Sequence, residues 1–178
     1  MPDTSLGITY PASTAHTRLW EHLQAIADDV NGLLDVPDPV NAHANGVNTI
    51  TATTFTDLPT IACSVALTNP HATRSLLCRV DYGAWISTST VSVRVCPRIS
   101  GSLTVAAGIG TNAPTGYGQL IRGNSGSTTY QQLAASYTVT LPVSATAATF
   151  TLQAHRESAS TTIQVNYATL DITPLRYV

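Results

Sequence analysis

Ile163-Gln164-Val165-Asn166-Tyr167 places an apolar side chain at every second position. Successive side chains leave opposite faces of an extended strand, so a period of two marks a strand with one dry face and one wet one. The same alternation runs through Val91-Ser92-Val93-Arg94-Val95 and Phe150-Thr151-Leu152-Gln153-Ala154. Working outward, further strand candidates fall near 47–55, 60–68, 75–82, 101–107, 117–122, 128–133, 136–142 and 168–173. Breaks fall at Asn69-Pro70, Pro97, Gly108-Ile109-Gly110, Pro114-Thr115-Gly116, Gly123-Asn124-Ser125-Gly126 and Pro142. Short strands separated by frequent turn signals predict a mainly β domain, an antiparallel β-sandwich or jelly roll, over residues 47–178.

The composition fits that reading. A chain of 178 residues is one compact domain with at most a short appendage. Charged residues are 10% of it, against about 25% in an ordinary soluble domain. Every basic side chain is Arg, and Thr and Ser fill the remaining polar places. The sparse charge argues against a basic nucleic-acid binder. Cys63, Cys78 and Cys96 are odd in number, lack metal-type spacing and sit in strand-like runs. They read as buried free thiols, with one disulfide plus a spare thiol as the alternative.

Residues 1–39 differ in character. They hold Asp3, Glu21, Asp28, Asp29, Asp35 and Asp38 against Arg18, a net charge of −5, while the remainder carries +3. After a lead-in through Pro11, residues 13–34 read as a helix with Ser13 or Thr14 as N-cap. Leu19, Leu23, Ile26, Val30 and Leu33 follow at alternating spacings of four and three, a short heptad seam. Trp20, Ala27 and Leu34 widen the apolar stripe on one flank. Pro37 disfavours helix at the residue before it. Residues 40–46, Val-Asn-Ala-His-Ala-Asn-Gly, look like a linker. The seam must be buried somewhere: in copies of itself or another protein, or against its own sheet.

Signals for catalysis are weak. His16, Asp81 and Ser125 occur in the chain order of a chymotrypsin-like triad, and Ser125 lies in a Gly-Asn-Ser-Gly stretch. Order without geometry does not make a triad, and the stretch reads as a Gly/Ser turn. The five His residues form no metal-ligand spacing, so no metal and no cofactor is expected. A hydrolytic carboxylate pair would have to come from Asp57, Asp81, Glu157 and Asp171. Trp85 follows Asp81-Tyr82-Gly83-Ala84, read as a strand end entering a turn. There it is a candidate for ligand stacking, with Tyr117 and Tyr130 as companions, or else a core residue closing one end of the sandwich.

Two stretches resemble a known group. Leu6-Gly7-Ile8-Thr9-Tyr10-Pro11 with Thr17-Arg18-Leu19-Trp20-Glu21-His22-Leu23-Gln24-Ala25-Ile26-Ala27-Asp28-Asp29-Val30 resembles the start of small virion proteins of tailed phages infecting actinobacteria. Phe150 to Arg156 and Val165 to Val178 are similar to the C-terminal strands of phage fibre and minor-tail β domains. The resemblance implies a non-enzymatic, oligomeric virion component, often a trimer, attached to the particle by its N-terminal arm.

The resulting expectation has three parts. Leu19, Trp20, Leu23, Ile26, Val30 and Leu33 would anchor the chain to copies of itself and to other virion proteins, as a tail, fibre or capsid-decoration component. The β body would face outward, with a host-surface glycan as a further partner and no nucleic acid. No leader or membrane-spanning run is read, which points to assembly in a host cytoplasm and residence in the virion. The alternative is a carbohydrate- or receptor-binding module built around Trp85.

Overall fold

A computed structural model describes residues 17–87, 93–104, 119–121, 130–144, 147–157 and 163–178. Side-chain environments are described for all of these except 17–19, 29, 32–34 and 119–121. One helix, α1 (Thr17–Leu34), precedes nine strands: β1 (Val40–Ile50), β2 (Thr56–Asp57), β3 (Ser64–Leu67), β4 (Leu76–Ser87), β5 (Val93–Gly101), β6 (Gln119–Ile121), β7 (Tyr130–Leu141), β8 (Ala148–Arg156) and β9 (Ile163–Tyr177).

The strands form two antiparallel sheets, one ordered β1-β9-β4-β7 and the other β2-β8-β5-β6, with β3 also paired to β8. The short β2 and β3 both pair with β8, through Thr56–Ala154 and Ser64–Thr151, and act as one interrupted strand. Counted that way, eight strands pass back and forth between two four-stranded layers, except that β5 and β6 share one, which is jelly-roll topology. The chain is mainly β with one N-terminal helix, as the alternation predicts.

Strand β4 organises the first sheet. Leu76, Cys78, Val80, Tyr82, Ala84 and Ile86 are all buried, in unbroken alternation with more open neighbours. Its partners supply the same inner layer, Leu133, Tyr137, Val139 and Leu141 from β7 and Leu170 and Ile172 from β9. Val93, Val95, Ile99, Phe150, Leu152 and Ala154 face them from the second sheet and complete one continuous core.

Strand β9 keeps pace with its neighbours only by breaking step. Gly83 pairs with Thr169 and Trp85 with Asn166, so β9 spends one residue more than β4 over that span. Tyr167 sits at this bulge with φ 49°, a left-handed conformation uncommon for a non-glycine residue. Inward positions are odd before it (Ile163, Val165) and even after it (Ala168, Leu170, Ile172). A second irregularity between Leu77 and Cys78 of β4 leaves Leu175 exposed and returns Tyr177 to the core.

Several expectations need correction. Residues 40–46 are the first part of edge strand β1, paired from Val40–Ile172 to Ala44–Ala168, and are not a linker. Their residues are small and polar because an edge strand with one wet face needs little apolar area. The described parts of the candidates at 128–133 and 136–142 belong to one strand, Tyr130–Leu141, as 163–167 and 168–173 do to another. Strand β5 ends at Gly101, so the early part of the 101–107 candidate is not a strand. Gly101 has φ 98°, and a Cβ there would collide with the Ala147 carbonyl.

Two buried asparagines anchor loops. The Oδ1 of Asn48 accepts from the backbone amides of Thr60 and Ile61 at 2.8 and 2.9 Å. Asn69 Nδ2 donates to the carbonyls of Arg74 and Pro142 at 2.9 and 2.8 Å, joining the β3–β4 loop to the β7–β8 turn. All three cysteines are free and buried. Burial pushes the Cys78 thiol from the ordinary 9.0 up to about 12. Burial, with the Asp171 carboxylate as a lesser cause, pushes Cys63 up to about 11.

Phe150 is fully buried between the sheets. Phe150→Ala should cost about 3–5 kcal/mol in denaturant unfolding, while Thr140→Ala, outward on β7, should stay within about 0.5 kcal/mol. The thiols add a pH dependence. Their folded pKa values lie above the unfolded ones, so their contribution is complete below about pH 9 and disappears as pH rises through about 11 to 12. Melting temperature should therefore fall across that window, and fall less in Cys78→Ala.

Candidate functional site

The two surfaces singled out by the sequence, the helix seam and the surroundings of Trp85, lie on different elements. In α1 the flank turns inward and the seam does not. Ala27 is 5% exposed and Trp20, Gln24 and Asn31 are half-buried, while Ile26 is 60% exposed and Leu23 and Val30 also face solvent. Residues 20, 24, 27 and 31 follow helical spacing along one side, so a row of Trp20, Gln24, Ala27 and Asn31 turns inward and the heptad stripe stays open. The side chains of Leu19 and Leu33 lie outside the described residues, as do Ser13 and Thr14. The helix end is tied down where Tyr177 donates its hydroxyl to the Asp35 carbonyl at 3.3 Å. Burial and the Asp35 carboxylate raise the Tyr177 pKa.

Trp85 is neither at a strand end nor in the core. It lies inside β4, points away from the core and is 43% exposed. It borders a trough of about 500 Å³ on the outer face of the first sheet, lined only by residues of β4, β7 and β9. Tyr167, 61% exposed, borders the same trough. Gly83 lies in it two residues before Trp85, where an added Cβ would stand 3.0 Å from the Leu133 carbonyl oxygen and 3.2 Å from Thr169 Oγ1. Gln132, the register partner of Trp85 on β7, and Ser136, the partner of Asp81, add polar groups.

Asp81 and Asp171 are direct cross-strand partners in the same trough. Asp81 accepts from Arg79 Nε at 2.7 Å. Asp171 has no ion pair or hydrogen bond among the described residues, so one of two adjacent carboxylates is left uncompensated. Among the described residues no three metal-binding side chains gather in one place. Asp57 and Glu157, the other carboxylates considered, belong to the second sheet, where they pair with Arg98 at 3.4 Å and Arg94 at 2.8 Å.

The structure thus joins Trp85 to Asp81 and Asp171 and adds Tyr167, Gly83 and Gln132, which sequence reasoning missed. Tyr130 is exposed at the start of β7 and does not line the trough. Tyr117, His16 and Ser125 lie outside the described residues. Simple alternation with Ile163 and Val165 puts Tyr167 inside. The bulge that turns it out has no local signature, because neither Tyr167 nor its neighbours is a glycine.

No known family profile matches the chain, and no curated protein matches it. Two solved structures are similar over most of its length. A chain in the structure of infectious bursal disease virus Gt strain overlaps 80% of this chain and 36% of its own, with 8% identity and a TM-score of 0.38. The mosquito-larvicidal Cry4Aa toxin of Bacillus thuringiensis overlaps 77% of this chain and 23% of its own, with 11% identity and a TM-score of 0.31. This chain spans well under half the length of either. Scores this low carry no argument, and neither protein's role is transferred. No described helix is long and apolar enough to cross a membrane.

Gly83→Val should fill the trough and press on Leu133 and Thr169. A destabilisation of about 1–3 kcal/mol, read by denaturant unfolding, is the expected cost of overpacking there.

Proposed function

We propose that the chain is a non-enzymatic structural protein of a tailed-phage virion, whose helix α1 joins it to further copies of itself and to the particle while the jelly roll is displayed outward. The observation that carries this reading is the open stripe of Leu23, Ile26 and Val30, set beside the inward-turned Ala27. An amphipathic helix serving only its own sheet would bury that stripe. The heptad spacing supports copies of the same helix as the occupant, because residues three and four apart form the knobs that fill holes between parallel helices. Closed cyclic symmetry follows, and a trimer fits the group that the two terminal stretches resemble. The non-enzymatic part rests on the sequence, in which no nucleophile–base or metal-ligand pattern stands out. Jelly rolls recur in viral capsid and lectin domains, an analogy of fold that agrees with display but does not establish it.

Light scattering on the full chain should give a mass near three times that of one chain. Leu23→Asp with Ile26→Asp should reduce it to that of a monomer while the far-ultraviolet dichroism of the β body is unchanged. A monomeric native chain, or a trimer indifferent to both substitutions, would overturn the assignment of the seam.

A further inference from the structure

Most outward positions around the trough are small: Ala134, Ser136 and Thr138 on β7, Thr169 and Thr173 on β9, and Gly83 on β4. Trp85 and Tyr167 are the two large exposed aromatics among its lining residues. Isolated exposed apolar residues need no explanation, but two neighbouring rings bordering one depression invite one. The trough lies on the face of the sheet, where the backbone groups of β4 and β9 are already paired, so an extended peptide could add a strand only at the β7 edge and not in the trough. An aromatic ring offers a flat apolar surface with a negative face, while the carboxylates and Gln132 offer hydrogen-bonding groups beside it. A pyranose has the matching construction, a face of C–H bonds and a rim of hydroxyl donors. The volume lies within the range of small-molecule sites.

Charge narrows the class. Arg79 engages Asp81, and Asp171 is left as an uncompensated acceptor next to it. An ionised carboxylate accepts hydrogen bonds from sugar hydroxyls strongly. The same charge repels a uronate, sialate or phosphate. We propose that the trough bordered by Trp85 and Tyr167 binds an uncharged pyranoside chain, with the sugar's C–H face on the rings and its hydroxyls donating to Asp171 and Gln132. The site is built by β4, β7 and β9 alone, so it stands or falls independently of the role given to α1.

The full-length chain would be tested on an array of neutral oligosaccharides, namely cello-, manno-, galacto- and N-acetylglucosamine oligomers, printed beside polyuronate, sialylated and sulfated ones. Hits would be measured by calorimetry. Binding to at least one neutral series is expected, with affinity falling about tenfold or more in Trp85→Ala and in Tyr167→Ala. Trp85→Phe, which keeps a ring, should recover part of the loss and guards against misfolding as the cause. Asp171→Asn should weaken the neutral ligand and narrow the margin against the matching uronate. Absence of binding to every neutral series overturns the proposal. So does preference for an acidic series, or neutral binding unchanged in both aromatic variants. The solution mass of each variant should equal that of the native chain, which separates this result from any failure of the helix assignment.

Discussion

The twelve-residue alternation of β4 is the constraint on which the rest of the molecule hangs. Its six inward side chains supply the middle of the core, and its backbone is hydrogen-bonded on one side to β7 and on the other to β9. A one-residue slip of any of these strands would turn its apolar set to water and its polar set into the core. Burial of that inner row therefore fixes the register of three strands at once. The outer row is then fixed as well, and it carries Arg79, Asp81, Gly83 and Trp85. The trough is the reverse side of the core, held in place by the hydrophobic layer behind it.

The two outer faces of the sandwich are built differently. On the second sheet, Arg98 on β5 reaches Asp57 on β2, Gln153 on β8 donates to the same carboxylate at 2.6 Å, and Ser64 pairs with Thr151 at 2.9 Å. Arg94 reaches Glu157 just beyond β8. These contacts cross from strand to strand and close that face over with polar groups. On the first sheet the one ion pair described, Arg79–Asp81, stays within β4. The first sheet carries as many charged residues on its strands, Arg79, Asp81, Asp171 and Arg176, but no described ion pair there crosses between strands, which leaves its outer face open. Exposed pairs of this kind contribute little to stability, so the difference matters more for what each surface can bind than for how firmly the domain holds.

How much of this was legible in the sequence depended on the range of the interaction. Strict alternation identified the cores of β5, β8 and the first part of β9, since those side chains report their own burial. The fold class followed from the spacing of such runs. Residues 40–46 misled because Ala42 and Ala44 face inward beneath polar neighbours, and two alanines are too weak a signal to separate an edge strand from a linker. Trp85 misled because Gly83 suggested a turn, whereas the glycine leaves room beside the carbonyl of Leu133 and the hydroxyl of Thr169 on the adjoining strands. In α1 the heptad was visible but not its orientation, in which Trp20, Gln24, Ala27 and Asn31 turn inward and the seam residues Leu23, Ile26 and Val30 stay open. The Asp81–Asp171 pairing is a matter of register between strands ninety positions apart, and no local pattern encodes it.

The irregularities of the first sheet are nested. Over the span that β4 covers from Gly83 to Trp85, β9 needs one residue more, from Asn166 to Thr169. Where β9 runs from Asn166 to Ala168, β1 again needs one more, from Ala44 to Val47. Chain length thus grows toward that edge while the inner layer stays the same, as extra material along one border makes a cloth curl. Extra residues of this kind bend a strand and increase its twist. The shape of the depression is accordingly set by how many residues each strand spends, as well as by which ones. A further residue at either point, absorbed in the bulge, would reshape the outer face while leaving the core positions turned inward.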